Sequence, residues 1–234
     1  MSVDEPHVSF TSQKLNRLRA GVLGANDGIV SVASLVVGVA GATSDTGAIA
    51  TAGTAALVGG AVSMALGEYV SVSSQRDSER HMIGLESREL REDPEGELEE
   101  LTQMLQERGI AEATARQAAR EMTEHDALAA HLEVELGIDA DDLISPWSAA
   151  FSSAVAFTAG GLLPLVAMLA TGLDARLAVT FATVLVALAL TGTISARIGG
   201  GDRSRAAVRL VVGGALALAL TYLIGRLLGS SGMV

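Results

Sequence analysis

The sequence predicts an all-α membrane protein: five transmembrane helices, with an acidic three-helix domain inserted between spans 2 and 3. Three observations carry that prediction. Of 234 residues 49% are hydrophobic, and the mean hydropathy of +0.41 suits a chain whose core is largely the bilayer. The apolar residues fall in five stretches of about 20, each long enough at ~1.5 Å rise per residue to cross a ~30 Å hydrocarbon layer. Charge gathers in one block, since residues 74–144 hold 20 of the 27 acids and only 7 of the 16 bases. That block belongs in water.

Residues 1–19 are polar, lack the basic n-region and small-residue cleavage site of a signal peptide, and read as a short cytosolic lead-in. Span 1 covers 20–42. Asp27 lies in its first third between Gly24 and Gly28, whose spacing admits a close neighbouring helix. With Asn26 it reads as a polar site in locally loosened backbone; the alternative is a helix cap at headgroup level. After the link TSDTG, span 2 covers 48–73, completing a first membrane segment over 20–73. Ala56, Gly60 and Gly67 give it a small-residue face, and Ser63, Ser71 and Ser73 offer hydroxyls. No proline interrupts the chain until Pro94, so this helix is expected to run on as a stalk into water.

The acidic block 74–144 divides at Asp93-Pro94, an N-cap followed by proline in the first helical position. Leu98, Leu101 and Leu105 form an apolar stripe that stops at Gly109. A third helix is expected over about 111–136, packing through Met122, Leu128, Leu132 and Leu136 and ending at Gly137. Pro146 and Trp147 mark re-entry, tryptophan favouring the membrane interface. The second membrane segment, 145–234, holds span 3 (148–171, with Gly160, Gly161 and Pro164 expected to bend it), span 4 (177–196) and span 5 (207–229). Arg226 lies near an end, where it can snorkel.

Basic residues set the orientation. Lys14, Arg17 and Arg19 precede span 1, and Arg197, Arg203, Arg205 and Arg209 surround the link between spans 4 and 5. The opposite side has Arg176 and Arg226, so the positive-inside rule predicts a cytosolic N-terminus and a cytosolic acidic domain. An odd number of spans without internal repeat points to a homodimer as the simplest closure of a pathway.

Two constellations carry chemistry. A carboxylate in the middle of a membrane helix costs roughly 2.5–3.5 kcal/mol on insertion scales, so Glu68 is expected to be used. Met64 precedes it by one turn on the same face, and with Asp27 the pair offers two hard oxygens and a soft thioether, a set suited to ferrous iron. Each carboxylate must shed a proton to take a cation, which links metal passage to proton release. In the acidic block, Glu86 and Glu89 precede Pro94 at i, i+3 and Glu97 and Glu100 follow it at i, i+3, each pair on one helix face. Facing one another they would make an oxygen-rich cage, which His131, Glu133 and Glu135 could complete. The alternative is that these glutamates are only the solvated face of a helical hairpin. His131 and Glu135 stand at i, i+4, like many ligand pairs, a pattern also common by chance.

The exclusions are as useful. Zero cysteines remove thiolate sites and iron–sulfur clusters. No Glu-x-x-His or His-Glu-x-x-His motif occurs, and the glycines 199–201 lack the lysine of a phosphate loop, so neither a catalytic metal centre nor ATP-driven transport is expected. A net charge of −11 gives no reason to expect a nucleic-acid partner.

The segments LGANDGIVSVASLVVGVAGA and GGAVSMALGEYVSVSSQRDSE, and more weakly HDALAAHLEVELGI and SPWSAAFSSAVAFTAGGLLPL, resemble the vacuolar iron transporter family. The resemblance runs from about residue 15 to 229 and implies a dimeric five-span exchanger of Fe2+ or Mn2+ for protons, with a cytosolic metal-binding helical domain. It implies that Asp27, Met64 and Glu68 are pathway residues, that Glu86, Glu89, Glu97 and Glu100 bind metal in the cytosol, and that Glu135 joins them from the third helix. His131 and Leu132 stand where plant members are similar to one another in carrying methionines. No permanently bound cofactor is expected, the metal being cargo. The Ala, Gly and Arg bias, without organelle-targeting signals, predicts a bacterial plasma membrane. A competing reading is a metal-sensing membrane adaptor whose acidic domain binds a partner, the intramembrane carboxylates serving only helix association.

Overall fold

A computed structural model describes residues 12–138 and 144–231, with side chains from residue 21 onward. Most of the N-terminal lead-in and the side chains of Lys14, Arg17 and Arg19 lie outside the described residues. The regular elements described are all helical: α1 (Ser12–Ala42), α2 (Thr46–Glu92), α3 (Pro94–Glu107), α4 (Glu112–His131) followed by a π-helical turn (Leu132–Leu136), α5 (Pro146–Ala170), α6 (Arg176–Ile198) and α7 (Arg203–Ser230). They form two compact units, one made of Lys14–Val70 with Pro146–Val234, the other holding Ser71–Ser145. The 47-residue α2 contributes to both.

The first unit contains five helices long and apolar enough to cross a membrane: α1, α2, α5, α6 and α7. Its surface is the opposite of a water-soluble protein's, with Phe151 73% exposed, Leu216 67% and Leu227 69%. Such residues suit contact with lipid chains. Inside, Val32, Ala33, Val36 and Val37 of α1, Phe157, Leu165 and Met168 of α5, and Val184 and Leu188 of α6 make one core with Ile49 and Leu57 of α2 and Leu218 of α7.

Lipid supplies no hydrophobic drive between helices, so close backbone approach must hold them together. A Cβ at Gly28 would strike the Phe157 carbonyl, and one at Gly160 would strike the carbonyl of Ala25, so α1 and α5 meet through opposed glycines. That is the use expected of Gly24 and Gly28. A second seam was not read from the sequence: in α1 Gly38 lies against Gly225 of α7, Gly41 against Tyr222 and Arg226, and Ala42 against Gly229. Arg176, counted from the sequence on the side opposite the basic-rich links, is 5% exposed at the start of α6, where its guanidinium donates to the carbonyls of Ser44 and Thr43 at 3.4 and 3.5 Å. It satisfies carbonyls left open just beyond α1. Arg203 and Arg205 lie within α7 rather than in the link before it, because Asp202 accepts the Arg205 amide at 3.0 Å and starts the helix there.

In the second unit α2 ends at Glu92, and Asp93 caps α3 by accepting the Gly96 amide at 3.0 Å, with Pro94 in the first turn as the sequence predicts. α3 closes before Gly109, whose φ of +91° a side chain would resist. Leu101 and Leu105 pack with Ala115, Ala119, Ala130 and Val134 to make the core of this unit. The single third helix expected over 111–136 is broken twice. Asp126 adopts φ −160°, ψ 98° and accepts the Ala129 amide at 3.0 Å, so its side chain caps a fresh helical start. From Leu132 the chain widens into the π-helical turn and ends on Gly137 at φ +63°. Buried Ala115, Ala119 and Val134 therefore take contacts that Leu128 and Leu136 were expected to make.

Candidate metal centre

Four segments of the second unit bring acid and imidazole together. The tail of α2 carries Glu86, the first turn of α3 carries Glu97, α4 ends on His131, and the π-helical turn supplies Glu135. His131 is fully buried and Glu86 is 3% exposed. The His131 Nδ1 lies 3.0 Å from Glu86 Oε1, 3.6 Å from Glu97 Oε2 and 4.0 Å from Glu135 Oε2. One donor atom each from Glu86, Glu97 and His131 fall within 4.8 Å of one another. Donors at ~2.0–2.2 Å from a shared transition-metal ion stand about 3–4.4 Å apart, so little adjustment would close this set around one ion.

The electrostatics point the same way. Burial, then the charges of Glu135 and Glu97, push the Glu86 carboxyl up to about 7, and it also shares a hydrogen bond with Glu135. Glu97 is raised by burial and by Glu100 and Glu89, while burial lowers His131 against the pull of Glu135 and Glu100. Carboxylates crowded this closely repel until a proton or a cation joins them.

Of the seven residues expected here, Glu86, Glu97 and His131 form the inner group and Glu135 stands at its edge. Glu89 and Glu100 are exposed and act on the inner carboxyls through charge, so only the first member of each i, i+3 pair turns inward. Glu133 and His125 face outward. Arg108 had no expected role. It donates to the Val134 carbonyl, tying α3 to the π-helical turn between His131 and Glu135.

In the membrane unit, Asp27, Met64 and Glu68 are each half-buried. Ser31 Oγ donates to Asp27 Oδ1 at 2.6 Å, one turn along α1, and Met64 packs against the core. Tyr69, next to Glu68, contacts Trp147 of α5 with ring centroids 4.7 Å apart. Trp147 is itself 74% exposed, as suits a residue at the membrane interface.

Curated relatives share most of this chain. A "Vacuolar iron transporter" of Acanthamoeba castellanii is 44% identical over 212 residues, covering 90% of this chain and 78% of its own length. "Vacuolar iron transporter homolog 1" of Oryza sativa subsp. japonica is 38% identical over 220 residues, covering 92% and 75%. "VIT-like transporter 1b" of Glycine max is 31% identical over 235 residues, covering 100% and 86%. The VIT family profile matches residues 18–226. With five helices long and apolar enough to cross a membrane and a family match over residues 18–226, the chain belongs to the VIT family.

Proposed function

We propose that this protein exports a divalent metal ion, Fe2+ or Mn2+, from the cytosol in exchange for protons. The observation that carries the reading is the buried Glu86–Glu97–His131 group on a chain that also carries five membrane-length helices. Relatives named as iron transporters make transport, rather than catalysis, the function to expect. In this reading the acidic domain is cytosolic and captures the ion: Glu89 and Glu100 raise its local concentration, and Glu86, Glu97, His131 and Glu135 hold it. Asp27, Met64 and Glu68 carry it through the membrane unit. A carboxylate that binds the ion gives up its proton, and regains one when the ion leaves, so net movement follows the proton gradient.

Arg197, Arg203, Arg205 and Arg209, clustered around the link between α6 and α7, support a cytosolic location for that link and for the acidic domain. The composition supports a bacterial plasma membrane. A homodimer is supported by α2, where Thr51, Ala55, Gly59, Ser63 and Gly67 form an exposed row and a side chain added at Gly59 or Gly67 would meet nothing within 4 Å. The test is uptake of Fe2+ and Mn2+ into liposomes carrying the purified protein, with and without an imposed pH gradient. Uptake that grows with the gradient supports exchange. Metal binding without uptake under either condition would replace it with the metal-sensing adaptor.

A further inference from the structure

His131 is fully buried, yet among the described residues neither of its ring nitrogens has a hydrogen-bond partner. Each buried polar atom left in that state costs about 1–3 kcal/mol, so a native site normally supplies an occupant. Glu86 Oε1, 3.0 Å from Nδ1, is also buried without a hydrogen-bond partner among the described residues. The two atoms are close but not aligned to bond each other, and Glu97 Oε2 stands 3.6 Å away on the same nitrogen. A neutral imidazole offering a lone pair into a group of carboxylates is the arrangement of a ligand set, with nitrogen as one donor.

The local backbone serves that placement. His131 is the last residue of α4 and the π-helical turn begins at the next, so His131 immediately precedes the widened turn and Glu135, four residues on, lies within it. π-Helical turns recur at functional sites. Arg108 holds the turn by its grip on the Val134 carbonyl.

We propose that His131 Nδ1 ligates the captured ion and makes the inner site selective for borderline divalent metals, Fe2+, Co2+ and Zn2+, over Mn2+, Mg2+ and Ca2+. This rests on the metal-capture reading above and names the class of ion. Oxygen-only sites suit Mg2+, Ca2+ and Mn2+, whereas imidazole suits iron and zinc, and affinity for a nitrogen-containing site rises from Mn2+ through Fe2+ to Co2+. Of the two candidate cargo ions, the inner site therefore takes Fe2+.

The test uses the full-length protein in detergent and titrates Co2+ and Mn2+ separately into wild type, His131→Gln and, as an exposed-histidine control, His125→Gln. Wild type is expected to bind Co2+ at least ~10-fold more tightly than Mn2+, and His131→Gln to lose ~10–100-fold for Co2+ while Mn2+ changes by less than ~3-fold. The control keeps the wild-type preference. Because a variant can lose binding by misfolding, Co2+-loaded wild type supplies a second readout: a strongly shifted, exchangeable imidazole proton in the NMR spectrum that persists in His125→Gln. Absence of that signal in Co2+-saturated wild type overturns the proposal, as does equal weakening of both ions by His131→Gln. Failure of wild type to bind either ion overturns the capture reading as well.

Discussion

Replacing Glu86 by glutamine should stabilise the metal-free acidic domain while weakening its hold on metal. The Glu86 carboxyl rises from an ordinary 4.5 to about 7, chiefly through burial and then through the neighbouring charges of Glu135 and Glu97. Below pH 4.5 the group is protonated in folded and unfolded chains alike, and its full contribution is present. Between 4.5 and 7 the unfolded chain has lost the proton and the folded chain keeps it, so stability falls as pH rises. Above 7 the loss is complete, about 3 kcal/mol at ~1.4 kcal/mol for each pH unit of that interval. Glutamine at 86 carries no charge and removes this slope. The assay is hydrogen exchange of the α3 and α4 amides in the full-length, chelator-treated protein at pH 5 and pH 8. Wild type should lose protection between the two, and Glu86→Gln should lose less by an amount approaching 3 kcal/mol. Metal affinity moves oppositely: in wild type it should climb up to ~10-fold per pH unit below 7 and flatten above, and in the variant it should be weaker throughout. Equal exchange in wild type and variant at pH 8, or wild-type protection that rises from pH 5 to 8, would refute the reasoning.

Four further predictions rest on packing and on local hydrogen bonds. Gly28→Val should destabilise the membrane unit by ~1–3 kcal/mol or prevent its folding, since the new atoms meet the Phe157 carbonyl; Gly59→Val, facing open space, should leave the melting temperature unchanged but reduce the dimer fraction in light scattering. Arg108→Leu, which frees the Val134 carbonyl, should lower metal affinity ~10-fold in calorimetry without changing the pH at which binding levels off. Asp93→Ala removes the α3 cap and should cost ~1 kcal/mol, read as faster exchange of the Gly96 amide and its neighbours.

The candidate membrane spans were legible because a bilayer demands long apolar runs, and the expected spans agree with the helices found to within a few residues, except that α1 and α2 run on beyond their apolar stretches. Asp93-Pro94 was legible because both residues act locally on the backbone. The break at Asp126 was not, since an aspartate inside a helical pattern looks the same whether its carboxylate faces solvent or caps the Ala129 amide. The π-helical turn after His131 leaves no periodic mark over five residues. Spacing could pair Glu86 with Glu89 and Glu97 with Glu100, but which member turns inward depends on the packing of Leu101, Leu105 and Ala119. The burial of Arg176 against the Ser44 and Thr43 carbonyls left no mark in the sequence, because it depends on where α1 ends in space.

The central claim is that metal bound in the acidic domain is cargo passed through Glu68. It is tested most directly by comparing wild type and Glu68→Gln in liposomes, following Fe2+ uptake and lumenal pH together, with Fe2+ binding by the same detergent-purified samples as reference. The account predicts that wild type moves Fe2+ in and protons out together, and that Glu68→Gln binds Fe2+ with wild-type affinity yet moves neither. Fe2+ flux in Glu68→Gln equal to that of wild type would contradict it.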